Sequence, residues 1–491
     1  MHLSDLLDTD HQQKENPVIL GVSCDSRQIS AGYVFVAIKG TSEDGNRFIN
    51  DAIKNGAVAV VTDQHVAAVS DPNIPVITPV ITVDDSRLAL ARIANRLHRK
   101  KPNLMAAITG TNGKTSVAEF LRQIWLRMGW QAGSIGTLGV RSGHMELPMP
   151  LTTPDTLTLH KSLEQLSDDN ISHVVLEASS HGIEQHRLSG LPIAVAGFTN
   201  LTRDHLDHHK TIDAYFAAKL RLFTDLLADG GTAVINIDND YGQTIVKTIS
   251  GRQIRIITVG RHADADFQIV ENENLPWGQQ VSIKYSDHIY KVPLALLGAF
   301  QGENAVMAAA MAHASGLSAT HALLSLPYLM PANGRMHSIF LPHNTARVVV
   351  DYAHTPDALD TVLKTLRQVT QGQLSVVFGC GGNRDKGKRV EMGKSAATWA
   401  DHIIVTDDNP RNEDPAAIRA DVTTGCPEAE NIADRAKAIA HGISRLGDGD
   451  ILLIAGKGHE NQQLIGDETL PFSDEGTVRA ILRSQAAGET V

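Results

Sequence analysis

Short apolar runs bounded by polar, glycine-bearing turns recur along this chain. Residues 32–38 and 57–62 read as strands, with a helix-like stretch at 48–54 between them. A helical period over 88–101 leads into an apolar strand that ends at Ile108 and Thr109, and a further helix is expected to open at Val117. Strands follow at 173–176, 194–199 and 232–237, with an amphipathic helix at 215–223. A Gly/Pro-punctuated β-rich region covers 255–297, and a strongly helical run covers 298–314. Pro327, Pro331 and Gly334 then read as a hinge, after which apolar strands at 347–350, 374–378, 402–406 and 451–455 build a second alternating unit. Pro72, Pro75 and Pro79 predict an exposed loop or sheet edge. Strands alternating with helices predict an α/β fold with parallel sheets, whose ligands sit along the strands' C-terminal edge.

Length and composition refine this picture. A chain of 491 residues is expected to hold about three domains, placed at 1–88, 89–332 and 333–491. The hydrophobic share of 42% is ample for several cores. A net charge of −11 argues against a nucleic-acid-binding surface. Cys24, Cys380 and Cys426 lie too far apart for a disulfide framework or a zinc pattern. The start has neither a basic region nor an apolar one, and no apolar run approaches the length of a membrane span. A cytosolic location without a membrane partner is expected.

The candidate chemistry centres on Gly110-Thr111-Asn112-Gly113-Lys114-Thr115-Ser116, a glycine-bearing loop between strand and helix. Glycines let backbone N–H groups turn toward a phosphate, a lysine adds fixed charge, and the next hydroxyl can ligate Mg²⁺. The loop departs from G-x-x-x-x-G-K-[ST] in having Ile108 at the first glycine position, and it reads as an ATP site. Glu177 at one strand end and His205 past the next make a metal pair beside the phosphates, although singly they read as a helix cap and a solvated histidine. Lys219, among apolar neighbours, reads by itself as a snorkelling surface lysine. Asp25-Ser26-Arg27 reads by itself as a capped turn rather than a site. In the last third, the strand ends carry Asp351 to His354, Arg384, Asp408 to Arg411 and Gly456 to Glu460. Arginines with acids and amides suit a small zwitterion.

Taken together, these motifs resemble the Mur ligase family over essentially the whole chain. Within it they are most similar to the members that add meso-diaminopimelate to UDP-N-acetylmuramoyl-L-alanyl-D-glutamate in peptidoglycan precursor synthesis. The resemblance explains Ile108, since the shorter loop is the family's own. It implies a three-domain α/β protein, with an N-terminal domain for the uridine nucleotide, a central P-loop ATPase-type parallel sheet and a C-terminal Rossmann-like domain for the amino acid. Ser26 would contact the UDP part, and Thr152, Thr153, Ser179, Gln185 and Arg187 would hold the muramoyl peptide. Thr115, Glu177 and His205 would position Mg²⁺ together with Lys219 as a carbamate. Asn304, Arg335, Asp351 and His354 would line the nucleotide across the domain cleft. Arg384, Asp408, Asn409, Arg411, Gly456 and Glu460 would read the diaminopimelate, with Arg411 on its distal carboxylate. The implied reaction runs through an acyl phosphate shielded by domain closure, with ATP as substrate and the enzyme a monomer. His337 and Asn383 depart from the family pattern, where an acid or amide and an Asp are usual.

Rival readings make different demands. A lysine-adding homologue would leave Arg411 without a carboxylate partner. Folylpolyglutamate synthases share the phosphate loop but explain neither the Asp25-Ser26-Arg27 region nor Asp408 to Arg411. A nucleotide-switch ATPase would leave the arginine-rich strand ends without a purpose. An inactive scaffold would have no use for Lys114, Thr115, Glu177, His205 and Lys219.

Overall fold

The computed structural model describes residues 1–7, 16–40, 43–64, 78–143, 145–275, 277–342 and 345–486; Pro72 and Pro75 lie outside them. The chain forms two compact units, Met1–Ala265 with Ala310–Ser318, and Asp266–Ala309 with Ala319–Val491.

The first unit begins with a parallel sheet in the order Gly21–Ser23, Tyr33–Ala37, Ala57–Thr62, Val80–Thr82. Pro79 precedes the edge strand of this sheet, where a residue without an N–H is tolerated. Val34 and Val36 face one core and Phe35 and Ala37 face another, so the strand is buried on both sides. The first core is closed by the helix Ser86–Leu97, capped by Asp85, through Leu90 and Ile93. The domain boundary expected at 88 falls inside this helix.

The larger sheet of this unit runs Arg255–Gly260, Leu227–Asn236, Ile193–Phe198, Leu104–Thr109, His173–Glu177, Ala132–Gly136, all parallel, then antiparallel Gly139–Arg141 and Glu146–Leu147. Leu104–Thr109 is central: the chain runs from it to Ala132–Gly136 on one side, and from His173–Glu177 it crosses over to Ile193–Phe198 on the other, which places a topological switch point at its C-terminal end. The register sets Glu177 beside Ile108 and Phe198 beside Thr109. The helix after the loop spans Lys114–Arg127 and opens before Val117, because Gly113 at φ 88° turns the chain into it. The helix carrying Lys219 spans Ile212–Arg221; Thr211 caps it at Ala214 N, and a π-helical turn, Leu222–Leu226, replaces its expected last turn.

The second unit holds an antiparallel meander, Phe267–Leu275, Gly278–Tyr285, His288–Leu294, and a sheet in the order His337–Phe340, Arg347–Asp351, Ile451–Ala455, Leu374–Phe378, His402–Val405, Glu430–Asn431. Only the first strand of that sheet is antiparallel. Val349 enters a core with helices Pro356–Val369 and Gly387–Trp399, while Val348 and Val350 enter another with Arg435–Ser444 and Asp474–Ala486. Helices on both faces of a parallel sheet confirm the α/β class.

Candidate active site

The phosphate loop is braced by hydrogen bonds from the neighbouring strand end. Thr111 N donates to Asn200 O at 2.9 Å and Asn112 N to Asn200 Oδ1 at 3.0 Å. Thr199 Oγ1 donates to Asn112 O at 2.6 Å. Gly110 sits at φ 148°, and a Cβ there would lie 1.9 Å from Thr199 Oγ1, so only glycine fits. Lys114 Nζ donates to Gly110 O at 2.9 Å and Thr111 O at 2.7 Å, and Ser116 is buried in the following turn.

Lys219 is not a snorkelling lysine. Its side chain is 1% exposed, its Nζ donates to the same Gly110 carbonyl at 2.8 Å, and it lies 4.4 Å from the Tyr215 ring centroid. Burial first, and the Lys114 charge second, push its amine well below the ordinary lysine range. Tyr215 sits one helical turn before Lys219, meets Thr111 Oγ1 at 3.3 Å and packs edge-on against His205 at 5.9 Å. One phenol therefore ties the loop, the buried amine and the histidine together. Its signal in the sequence is the i, i+4 spacing from Lys219.

Glu177 is not a helix cap either; Ser179 has that role, accepting from Gly182 N at 3.1 Å. The Glu177 carboxylate is 3% exposed and accepts from Thr115 Oγ1 at 2.9 Å, Thr137 N at 2.8 Å and Thr137 Oγ1 at 3.0 Å. Gly136 leaves room for it, since a Cβ there would lie 2.1 Å from Glu177 Oε1. Thr137 belongs to this cluster and was missed. A carboxylate with two hydroxyls is a hard-oxygen donor set of the kind Mg²⁺ takes. His205 has φ 54° and lies 3.6 Å from Asp204 through Nε2. Its ring also meets His181, whose imidazole is held near a pKa of about 4 by burial and by the neighbouring histidines.

The residues assigned to the muramoyl peptide come together beside Glu177. Thr152 Oγ1 meets Thr137 Oγ1 at 3.1 Å, and Thr153 Oγ1 donates to Glu177 O at 2.7 Å and meets Ser179 Oγ at 2.9 Å. Arg187 donates to Thr153 O at 2.5 Å and to Gln185 Oε1 at 2.7 Å. Ser26 lies in the smaller sheet's loop, in a short helix capped by Asp25, whose carboxylate is bonded by Arg27 at 2.9 and 2.8 Å. The capped turn expected of that tripeptide is therefore present.

In the second unit, Asn304 Nδ2 donates to Gln301 Oε1 at 3.1 Å, and Arg335 stacks 4.5 Å over the Tyr352 ring. Asp351 accepts from Met336 N at 2.7 Å and Ala353 N at 2.8 Å, and burial raises its carboxyl above the usual range against the pull of Arg335. His354 Nδ1 lies 2.9 Å from Tyr352 O. At the neighbouring strand ends, Asn409 Nδ2 donates to Glu460 Oε2 at 2.9 Å, and the buried Lys457 donates to Asn409 Oδ1 and Glu460 Oε2 at 3.0 and 3.2 Å. Lys457 too was missed. Gly456 packs against Asp408, where a Cβ would lie 2.8 Å from Oδ2. Arg411, at φ 52°, donates to Gly382 O at 2.9 Å, and its backbone is bridged to the hairpin strand Gln462–Ile465. Arg384 is exposed. Asn383 has φ 53°, a conformation asparagine tolerates, and His337 pairs with Glu475 at 3.4 Å.

This arrangement is a phosphate-type loop with a buried amine and carboxylate in one unit and a cluster of polar and charged side chains at the strand ends of the other, and the chain belongs to the Mur ligase family. Residues 18–98 match the family's catalytic domain, 108–312 its middle domain and 334–458 its glutamate ligase domain. The UDP-N-acetylmuramoyl-L-alanyl-D-glutamate--2,6-diaminopimelate ligase of Mesorhizobium japonicum is 46% identical over 470 residues, 96% of each chain. That of Agrobacterium fabrum is 45% identical over 462 residues, 94% of this chain and 93% of its own. A solved structure of a ligase with the same name is 33% identical with a TM-score of 0.72, covering 99% of both chains. The MurF ligase of Thermotoga maritima shares the fold at 19% identity and a TM-score of 0.62, covering 95% of this chain and 98% of that one.

Proposed function

We propose that the chain is an ATP-dependent amide ligase that adds meso-diaminopimelate to UDP-N-acetylmuramoyl-L-alanyl-D-glutamate. The observation that carries this reading is the convergence of Lys114 and Lys219 on Gly110 O beside the Glu177–Thr115 pair. The relatives named for this reaction support the choice of substrates.

The D-glutamyl carboxylate attacks the γ-phosphorus of ATP, ADP leaves, and an acyl phosphate forms. The amine of diaminopimelate then attacks the acyl carbon, and phosphate leaves. Lys114 turns from the loop carbonyls to the transferring phosphoryl group, while the loop's N–H groups hold its oxygens. Thr152, Thr153, Ser179, Gln185 and Arg187 orient the peptide carboxylate, and Ser26 takes the UDP end. Asn304, Arg335, Asp351 and His354 contact the nucleotide. Thr115, Glu177, His205 and Lys219 as a carbamate are the residues that would hold Mg²⁺, which when bound neutralises phosphate charge. A neutral amine is what adds CO₂, and the lowered Lys219 amine meets that need.

Arg411, Arg384, Asp408, Asn409, Gly456 and Glu460 select the amino acid. Arg411 presents a planar guanidinium to a second carboxylate that L-lysine lacks. We further propose a UDP-binding domain, a central ATP-binding domain and a C-terminal amino-acid domain, the first ending with the helix Ser86–Leu97. The enzyme would act as a cytoplasmic monomer; among the described residues no helix is long and apolar enough to cross a membrane.

Phosphate release should be followed with ATP, Mg²⁺ and the UDP-muramoyl dipeptide, adding meso-diaminopimelate or L-lysine. Release that depends on diaminopimelate is the expected result. Release supported by lysine instead would overturn the role of Arg411, and release without any amino acid would overturn the ligase reading.

A further inference from the structure

Next to the groups given roles above, the first unit carries a cluster of imidazoles that the proposed reaction does not use. His181 lies in the short helix Ser180–Glu184, and His208 and His209 end the short helix Leu206–His209. The ring centroids of His181 and His208 are 4.2 Å apart, those of His208 and His209 4.7 Å, and those of His181 and His209 5.4 Å. One ligand nitrogen from each lies within 4.8 Å of the other two.

A carboxylate completes the set. Glu184 Oε2 lies 2.6 Å from His208 Nε2 and 4.0 Å from His209 Nδ1. His209 Nε2 is 3.0 Å from Ser180 Oγ, and the tautomer that donates this bond leaves Nδ1 as a lone pair facing Glu184. Metal-bound histidines characteristically hold their second nitrogen in this way. Tetrahedral zinc with bonds of about 2.0–2.1 Å sets its ligand atoms roughly 3.4 Å apart, which side-chain rotation can reach from here. Three nitrogens select a borderline metal such as zinc, whereas Mg²⁺ takes oxygens, as offered at Glu177.

We propose that His181, His208, His209 and Glu184 form a binding site for a divalent transition metal of the zinc type, separate from the oxygen site at Glu177 and Thr115. An ion there would pin the segment after the strand His173–Glu177 to the segment after the strand Ile193–Phe198. These strands flank the phosphate-loop strand, so the ion would fix the backbone on which His205 stands.

The test uses the full chain, stripped by a chelator and returned to millimolar Mg²⁺. Co²⁺ is titrated by visible absorption and Zn²⁺ by calorimetry, with H208Q and E184Q in parallel. His208 and Glu184 are 34% and 47% exposed, so neither substitution removes core packing. The expected result is one equivalent bound in the presence of Mg²⁺, with tetrahedral Co²⁺ bands, and affinity lowered about tenfold or more in each variant. Thermal unfolding of the metal-free variants should match the parent. Binding displaced by Mg²⁺, or left unchanged in both variants, would overturn the proposal.

Discussion

Around the phosphate loop, charged groups are buried and bonded to atoms far away in sequence. Glu177 is bonded to Thr115 and Thr137, and Lys219 to Gly110. At the strand ends of the second unit, Arg384 is exposed, and Arg411 is shaped by its own left-handed backbone and by a hairpin. The first region is ordered by its own hydrogen bonds, at the cost of desolvating an amine and a carboxylate. The second keeps the guanidinium groups of Arg384 and Arg411 nearer water, at the strand ends proposed to take the amino acid. Preorganisation belongs where charge develops during reaction, and access belongs where a substrate is chosen.

Substitution of Lys114 carries the largest expected effect. K114A should lower kcat by about 10²–10³-fold with diaminopimelate KM little changed, because the lost interaction is made with the transferring phosphoryl group. R411A should do the opposite, lowering kcat/KM for diaminopimelate by about 10–10²-fold through KM. Steady-state kinetics on both variants separates the two regions.

The carbamate proposed for Lys219 would exchange with dissolved CO₂. Activity should fall after CO₂ depletion and return with bicarbonate, and K219R, unable to add CO₂, should show neither response. Gly136 tests how tightly Glu177 is held. G136A should cost about 1–3 kcal/mol by overpacking, read by denaturant unfolding.

His160 gives the smallest effect and reports on the scaffold. It is fully buried on the helix Thr156–Asp168, and burial holds its imidazole near a pKa of about 3 against an ordinary 6.5. The folded chain then binds fewer protons than the unfolded chain between those values, so His160 makes stability fall as pH drops from about 6.5 toward 3. In H160L, the loss of melting temperature over that window should be shallower.

Much of this architecture was legible from periodicity. Val34 and Val36 against Phe35 and Ala37 announce a strand buried on both faces, and the order of strands and helices announces parallel sheets. Legibility failed where the deciding partner is distant. Lys219 looks like a surface lysine until Gly110 is brought to it, and Glu177 looks like a cap until Thr137 is. Helix starts shifted for local reasons, with Gly113 and Thr211 each opening a helix before the apolar period begins. Tyr215 and Lys457 went unnoticed because an aromatic and a lysine at ordinary spacing carry no chemistry until their neighbours are known.

If the peptide carboxylate is activated at the phosphate loop as an acyl phosphate before the amine arrives, one of its oxygens must pass to phosphate. With the D-glutamyl carboxylate oxygens labelled with oxygen-18, the phosphate released on complete turnover with meso-diaminopimelate is measured. One labelled carboxylate oxygen should appear in each phosphate. Unlabelled phosphate alongside amide product would mean that the carboxylate never bonded to phosphorus, and would contradict activation through an acyl phosphate.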